Sequence, residues 1–200
     1  MSKSCIKSVV RMTALLAIIG ISPTLASEDI NAHVPKAQKV GNAKMNFMLW
    51  DIYEATLFAP NGQWSFDQPF VLELKYLRHL SGEKIADRSV QEMRGQGFDD
   101  EVKLAAWHTQ MREIFPDVDE GDVISGVYTA DAQTIFYLGN KELGRVQDPE
   151  FSRHFFSIWL SPKTSRPELR LSLLGLDNTK GMISDVKDKD TYISGAHDND

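Results

Sequence analysis

Apolar and polar positions alternate with a period of two along several stretches of the chain. Lys44 to Phe58 (KMNFMLWDIYEATLF) carries Met48, Trp50 and Ile52 on one parity and Phe47, Leu49, Tyr53 and Leu57 on the other. Apolar groups on both parities predict one long strand, covered on both sides for part of its length. Pro60-Asn61-Gly62 is a turn signal. Phe70 to Arg78 (FVLELKYLR) predicts a second strand with Phe70, Leu72, Leu74, Tyr76 and Arg78 on one face. Val71, Glu73, Lys75 and Leu77 take the other face, where Glu73 and Lys75 meet solvent or helix edges.

The period then lengthens. Ser81 can cap a helix over Ser81–Met93, with Ile85, Val90 and Met93 as a weak apolar stripe. Asp99 or Asp100 can open a second helix running to Phe115, packed through Val102, Ala105, Ala106, Trp107, Met111, Ile114 and Phe115. Val123–Tyr128 and Thr134–Leu138 alternate again as strands, and Gly139-Asn140 reverses the chain toward Leu143–Val146. Asp148-Pro149 opens a helix with an acceptor at the cap and a proline where no N–H is needed. Phe151, Phe155, Ile158 and Trp159 line that helix, and Glu168–Leu176 predicts one more short helix after the Pro162–Pro167 break. Helices adjoining strands in this order predict a layered α+β fold.

The two ends differ from this body. Lys3, Lys7 and Arg11 precede the apolar run Thr13–Ile21, and Ser22-Pro23-Thr24-Leu25-Ala26 follows. This is the three-part pattern of a secretory signal peptide, with cleavage expected after Ala26. The run falls short of the ~20 residues of a spanning helix, so no membrane span is expected after cleavage. The expected organisation is a signal peptide at 1–26, a polar lead-in arm at 27–37, one domain at 38–176 and a flexible acidic tail at 177–200. The expected location is the periplasm or the cell exterior.

Composition narrows the function. The 200-residue chain has 22 Lys and Arg against 28 Asp and Glu. Losing the leader removes three positive charges and no negative one, leaving a formal charge of −9. Such a chain repels nucleic acid and anionic lipid at long range, and no basic cluster offsets this. The single cysteine, Cys5, lies in the leader, so the body has neither disulfide nor thiol chemistry.

Motifs for catalysis are sparse. His33, His79, His108, His154 and His197 form no metal-ligand pair, and no metal or cofactor is expected. The acidic run Asp117–Asp122 departs from a calcium loop, because Gly121 is its fifth residue and Tyr128 its twelfth. No nucleophile elbow is present, and no catalytic residue is assigned. His79 and His108 remain open as acid–base groups. Tyr76 and Arg78 are more informative: strand periodicity places them at the end of an apolar wall. A wall ending in a phenol and a guanidinium suits an amphiphile whose carboxylate meets the cation. Alternatively, Arg78 lays its stem over the core and leaves its charge in water.

MLWDIYEATLF (48–58), FVLELKYLRHLSGEKI (70–85), IFPDVDEGDVISGVYTAD (114–131), LGNKELGRVQDPEF (138–151) and HFFSIWLSPKTSRPELRLSLLG (154–175) together resemble the bacterial chalcone isomerase-like domain. The resemblance spans roughly residues 38–176. It implies an open-faced α+β sandwich, an antiparallel sheet with helices packed on one face. It also implies a cleft between the layers, which holds a flavonoid precursor in the plant isomerases and a fatty acid in non-enzymatic relatives. The isomerases' catalytic tyrosine corresponds to Ile85 here, and their substrate-contacting asparagine to Glu92. Their arginine before the first long strand has Lys44 as its nearest counterpart. An isoleucine can neither orient water nor stabilise a phenolate.

The ligand-binding candidates are therefore Arg78, Tyr76 and Lys44. The function expected is non-enzymatic binding of a small apolar or amphiphilic, fatty-acid-like carboxylate. The alternatives are an envelope interaction module without ligand, and an intramolecular lyase of the chalcone isomerase type. Protein partners are left open by the sequence.

Overall fold

The computed structural model describes residues 32–177. The expected signal peptide, residues 27–31 of the lead-in arm and all of the acidic tail beyond Asp177 lie outside the described residues. Six strands form one antiparallel sheet in chain order: β1 (Ala37–Phe47), β2 (Trp50–Pro60), β3 (Phe70–Tyr76), β4 (Val123–Tyr128), β5 (Thr134–Leu138) and β6 (Lys141–Val146). Helices α1 (Gly82–Gly95) and α2 (Glu101–Ile114) are inserted between β3 and β4, and α3 (Pro149–Leu160) and α4 (Pro167–Leu173) follow β6. This is an α+β open-faced sandwich.

Local chemistry starts each of the longer helices. Ser81 Oγ accepts from Lys84 N at 3.4 Å, Asp100 Oδ1 from Lys103 N at 3.0 Å, and Asp148 Oδ1 from Glu150 N at 2.9 Å. Each bond satisfies a backbone donor that the first helical turn leaves free. The other oxygen of Asp148 accepts from Trp107 Nε1 at 2.9 Å, so one carboxylate both starts α3 and ties α2 to it.

The helices cover one face of the sheet. Ala55, Leu57 and Ala59 of β2, with Phe70, Leu72, Leu74 and Tyr76 of β3, point into this layer and are buried. From the helical side, Met93, Leu104, Trp107, Met111, Phe151, Phe155 and Phe156 meet them. The opposite face carries a smaller cluster of Val71, Val127, Ile135 and Tyr137, joined by Val34. Val71 is buried, and burial raises the pKa of the neighbouring Glu73.

Two expectations are corrected. Lys44–Phe58 is not one strand: the chain reverses at Met48-Leu49, and Phe47 pairs with Trp50 across the tip of a β1–β2 hairpin. Met48 adopts a positive φ of 55°, a conformation that two-residue hairpin turns usually assign to Gly or Asn. In α2, Val102, Ala105 and Ala106 are exposed, while Leu104, Trp107 and Met111 carry the packing. These last three recur at three and four residues, a single helical stripe.

Where α4 crosses β1, the two backbones nearly touch. A Cβ on Gly41 would stand 2.2 Å from Ser172 O and 2.6 Å from Leu173 O, so only glycine fits there. The α3–α4 loop is held from the α3 side by Thr164 Oγ1, which donates to Ile158 O at 2.7 Å, and by Arg170 Nε, which donates to Leu160 O at 2.8 Å.

Candidate functional site

A partly open cavity of about 310 Å³ lies between the sheet and helices α1, α3 and α4. Its floor is Leu74 and Ile124, paired across β3 and β4, with Met45, Ile52, Tyr53 and Tyr76 beside them. Phe155, Ile158 and Trp159 of α3 close one side, and Leu169 of α4 another. Most of this lining is apolar, and the volume lies at the lower end of the range of about 300–1,000 Å³ for small-molecule pockets.

The remaining side is different. Helix α1 presents Lys84, Ile85, Arg88, Ser89 and Glu92, residues recurring every three to four positions and so sharing one face. Ser165 and Arg166, in the pinned loop before α4, approach the same rim. Arg88 and Glu92 form an ion pair, and Ser165 Oγ donates to Glu92 Oε1 at 3.0 Å. Arg166 and Lys84 have no ion pair among the described residues. The cavity therefore has a greasy body and a cationic, hydrogen-bonding margin.

Two phenols stand inside it. Tyr53 accepts a hydrogen bond from Trp159 Nε1 at 2.9 Å, and burial pushes its pKa up to about 12. The charges of Arg166 and Arg88 act on it in the opposite sense, which places both cations within electrostatic reach of the phenol. Tyr76 meets Tyr53 edge-on at 6.1 Å. Burial raises its pKa further still, and its hydroxyl makes no hydrogen bond to another described residue. Both phenols are neutral donors at ordinary pH.

Of the three residues singled out from the sequence, Tyr76 is in the cavity wall. Arg78 lies beyond the end of β3, is not among the lining residues, and stacks its guanidinium 4.8 Å from the Trp50 ring centre. Lys44 borders a second, more polar hollow that shares Met45, Ser165, Arg166 and Leu169 with the first. Its ammonium is 3.2 Å from Asp51 and 3.6 Å from Glu54. The structure thus does not bring the three together. Lys84, Arg88 and Arg166 were missed, although the spacing of charged and apolar groups over Lys84–Glu92 was a readable signal of a mixed helix face.

Other candidates resolve into local contacts. His79 and His108 lie outside the cavity lining, against Asp119 at 2.8 Å and Asp87 at 2.7 Å. In the acidic run, Asp117 Oδ1 accepts from Gly82 N at 2.9 Å and Asp122 Oδ2 from Asp119 N at 2.8 Å, so the run ties down the start of α1 and organises its own turn. Phe151, Phe155 and Trp159 are buried, the last two beside the cavity.

A sheet backed by helices around an apolar hollow defines a class of open-faced sandwich with an interlayer cleft. Residues 38–175 match the chalcone isomerase-like family, and the chain belongs to it. No curated protein matches the chain in sequence. Among solved structures, it is similar to a fatty-acid binding protein of Arabidopsis thaliana, with a TM-score of 0.56 and 10% identity over 70% of this chain and 87% of that one. At that identity the likeness is one of fold. Ile85 and Glu92 both border the cavity.

Proposed function

We propose that this protein binds, without transforming it, an amphiphilic carboxylate with a hydrocarbon body, of the fatty-acid kind. The observation that carries this reading is the apolar cavity whose margin holds Arg88 and Arg166, the latter without an ion pair among the described residues, and whose wall holds the phenols of Tyr53 and Tyr76. The hydrocarbon packs on Leu74, Ile124 and Phe155, and the carboxylate meets Arg166 at the rim. Charge-assisted bonds of this type are short and strong because one partner is ionised. The fatty-acid binding protein of the same fold supports the ligand class. Ile85 supports a binding rather than a catalytic role, since its side chain offers only methyl groups where an isomerase needs a hydroxyl. The leader pattern at residues 1–26 supports export to the periplasm or beyond.

The test is native mass spectrometry of gently purified protein, followed by lipid extraction and titration with a fatty-acid panel. A bound carboxylate is expected, with Arg166→Ala weakening it by about tenfold or more, as loss of a hydrogen bond to a charged group does. Arg78→Ala and Lys44→Gln are expected to stay within about twofold of the parent, as for exposed charges. An empty protein that ignores the panel overturns the reading. Chalcone ring closure clearly above the rate in buffer replaces it with the lyase.

A further inference from the structure

The tip of the β1–β2 hairpin is built against the usual rules for turns. Turn positions ordinarily take Gly, Asn, Asp, Ser or Pro, which solvate well and tolerate positive φ. Here the four residues are Phe47, Met48, Leu49 and Trp50, and Met48 holds φ 55°. They are 52%, 85%, 96% and 61% exposed, so the tip is a contiguous apolar knob in water. Isolated exposed apolar residues are ordinary, whereas a contiguous group marks an interaction site.

Just behind the knob comes a belt of charge. Lys44 on one strand pairs with Asp51 and Glu54 on the other, and Arg78 rests on the inner ring, Trp50. An apolar apex backed by a Trp–Arg contact and paired charges follows the order in which a bilayer changes from acyl chains to headgroups. The knob is also continuous with the cavity, for Phe47 and Ile52 of the same hairpin line it. A convex, four-residue protrusion suits a fluid apolar phase, which needs no complementary groove.

We propose that this tip docks the protein on a lipid bilayer surface, Met48 and Leu49 entering the acyl boundary and the cavity opening toward the membrane. Resting on the ligand class proposed above, this gives the amphiphile a route from bilayer to cavity that avoids water. The protein's acidic balance plays no part in the attachment, so the contact does not need anionic lipid.

The test is flotation of the protein, produced from the full chain and processed by its host, with phosphatidylcholine vesicles in low and high salt. Flotation is expected in both salts, and the double variant M48D/L49D is expected to partition at least about tenfold less, from loss of apolar burial. Neither residue borders the cavity, so binding of fatty acid in solution is expected to stay unchanged in the variant, which also verifies its fold. With fatty acid loaded in the vesicles, the parent's uptake rate is expected to rise with vesicle concentration and the variant's not. Three outcomes overturn the docking proposal: no flotation of the parent, equal flotation of the variant, or attachment lost in high salt. A dimer dissociated by M48D/L49D, without flotation, also overturns it and assigns the knob to a second copy of the chain. Flotation of a protein that binds no fatty acid upholds docking and removes the ligand reading alone.

Discussion

Phe70 and Tyr76 lie on the same face of β3, near its opposite ends, and meet very different surroundings. Phe70 is packed solid: Tyr128 stacks on it at 4.8 Å, and Phe156 meets it edge-on at 4.8 Å. Gly126 on β4 makes room for this, since a Cβ there would press on the Phe156 ring at 3.2 Å. Tyr76 instead borders empty space, with Tyr53 the ring beside it. The strands supply equivalent apolar faces to both ends. What differs is the helical layer, where α3 delivers phenylalanine rings to one end and α1 offers Ile85, Ser89, Arg88 and Glu92 to the other. A pocket arises here because the covering helix is under-filled, not because the sheet is shaped for one.

The comparison can be broken at its solid end first. Phe156→Ala is expected to lower stability by about 3–5 kcal/mol, the range for emptying a large buried aromatic site. Ile85→Ala, beside existing space, is expected to cost less than half of that; equal losses in denaturant unfolding would mean that the two ends are packed alike.

Alkaline unfolding sharpens the contrast. The Tyr53 phenol, held at about 12 when folded, titrates near 10 when unfolded, so above pH 10 the unfolded chain releases its proton first. Stability is therefore full below about pH 10 and declines through about pH 12, by about 2–3 kcal/mol from this group. Tyr53→Phe is expected to flatten the decline measured across that window. At the solid end Tyr128 is raised in the same direction by burial, against the opposing charge of Arg153, and is expected to contribute less, so Tyr128→Phe changes the slope little.

The smallest expected change in stability comes from filling the hollow. Ile85→Phe is expected to alter stability by no more than about 1.5 kcal/mol, since the added ring enters existing space. Fatty-acid affinity is expected to fall by at least about tenfold as apolar contact area is lost. Tight binding that persists in a calorimetric titration would place the ligand elsewhere.

Much of the fold was legible because its signals are local. Val123–Tyr128 and Thr134–Leu138 form strands with the expected bounds, and Ser81, Asp100 and Asp148 start helices where their side chains can cap. The hairpin at Met48-Leu49 was illegible for the converse reason: its turn residues are apolar, so the pattern runs through it as though the strand continued. Leu104 was passed over for Val102 because a helix with a weak stripe fixes its inward face by tertiary contact. The site was only half readable. Tyr76 sits within β3, and strand parity placed it correctly, but β3 ends there, so parity could not carry over to Arg78. Alternation along a strand also cannot distinguish an apolar face that is plugged from one left vacant; that depends on residues elsewhere in the chain.

Gly41 never borders the cavity, yet it decides how low the roof hangs. The α4 carbonyls rest where its side chain would be, and the same helix carries Leu169 and follows Arg166. Any heavier residue there acts as a shim, lifting the roof and spreading the cationic rim. The volume of this hollow is thus set from outside, at a point where two backbones meet.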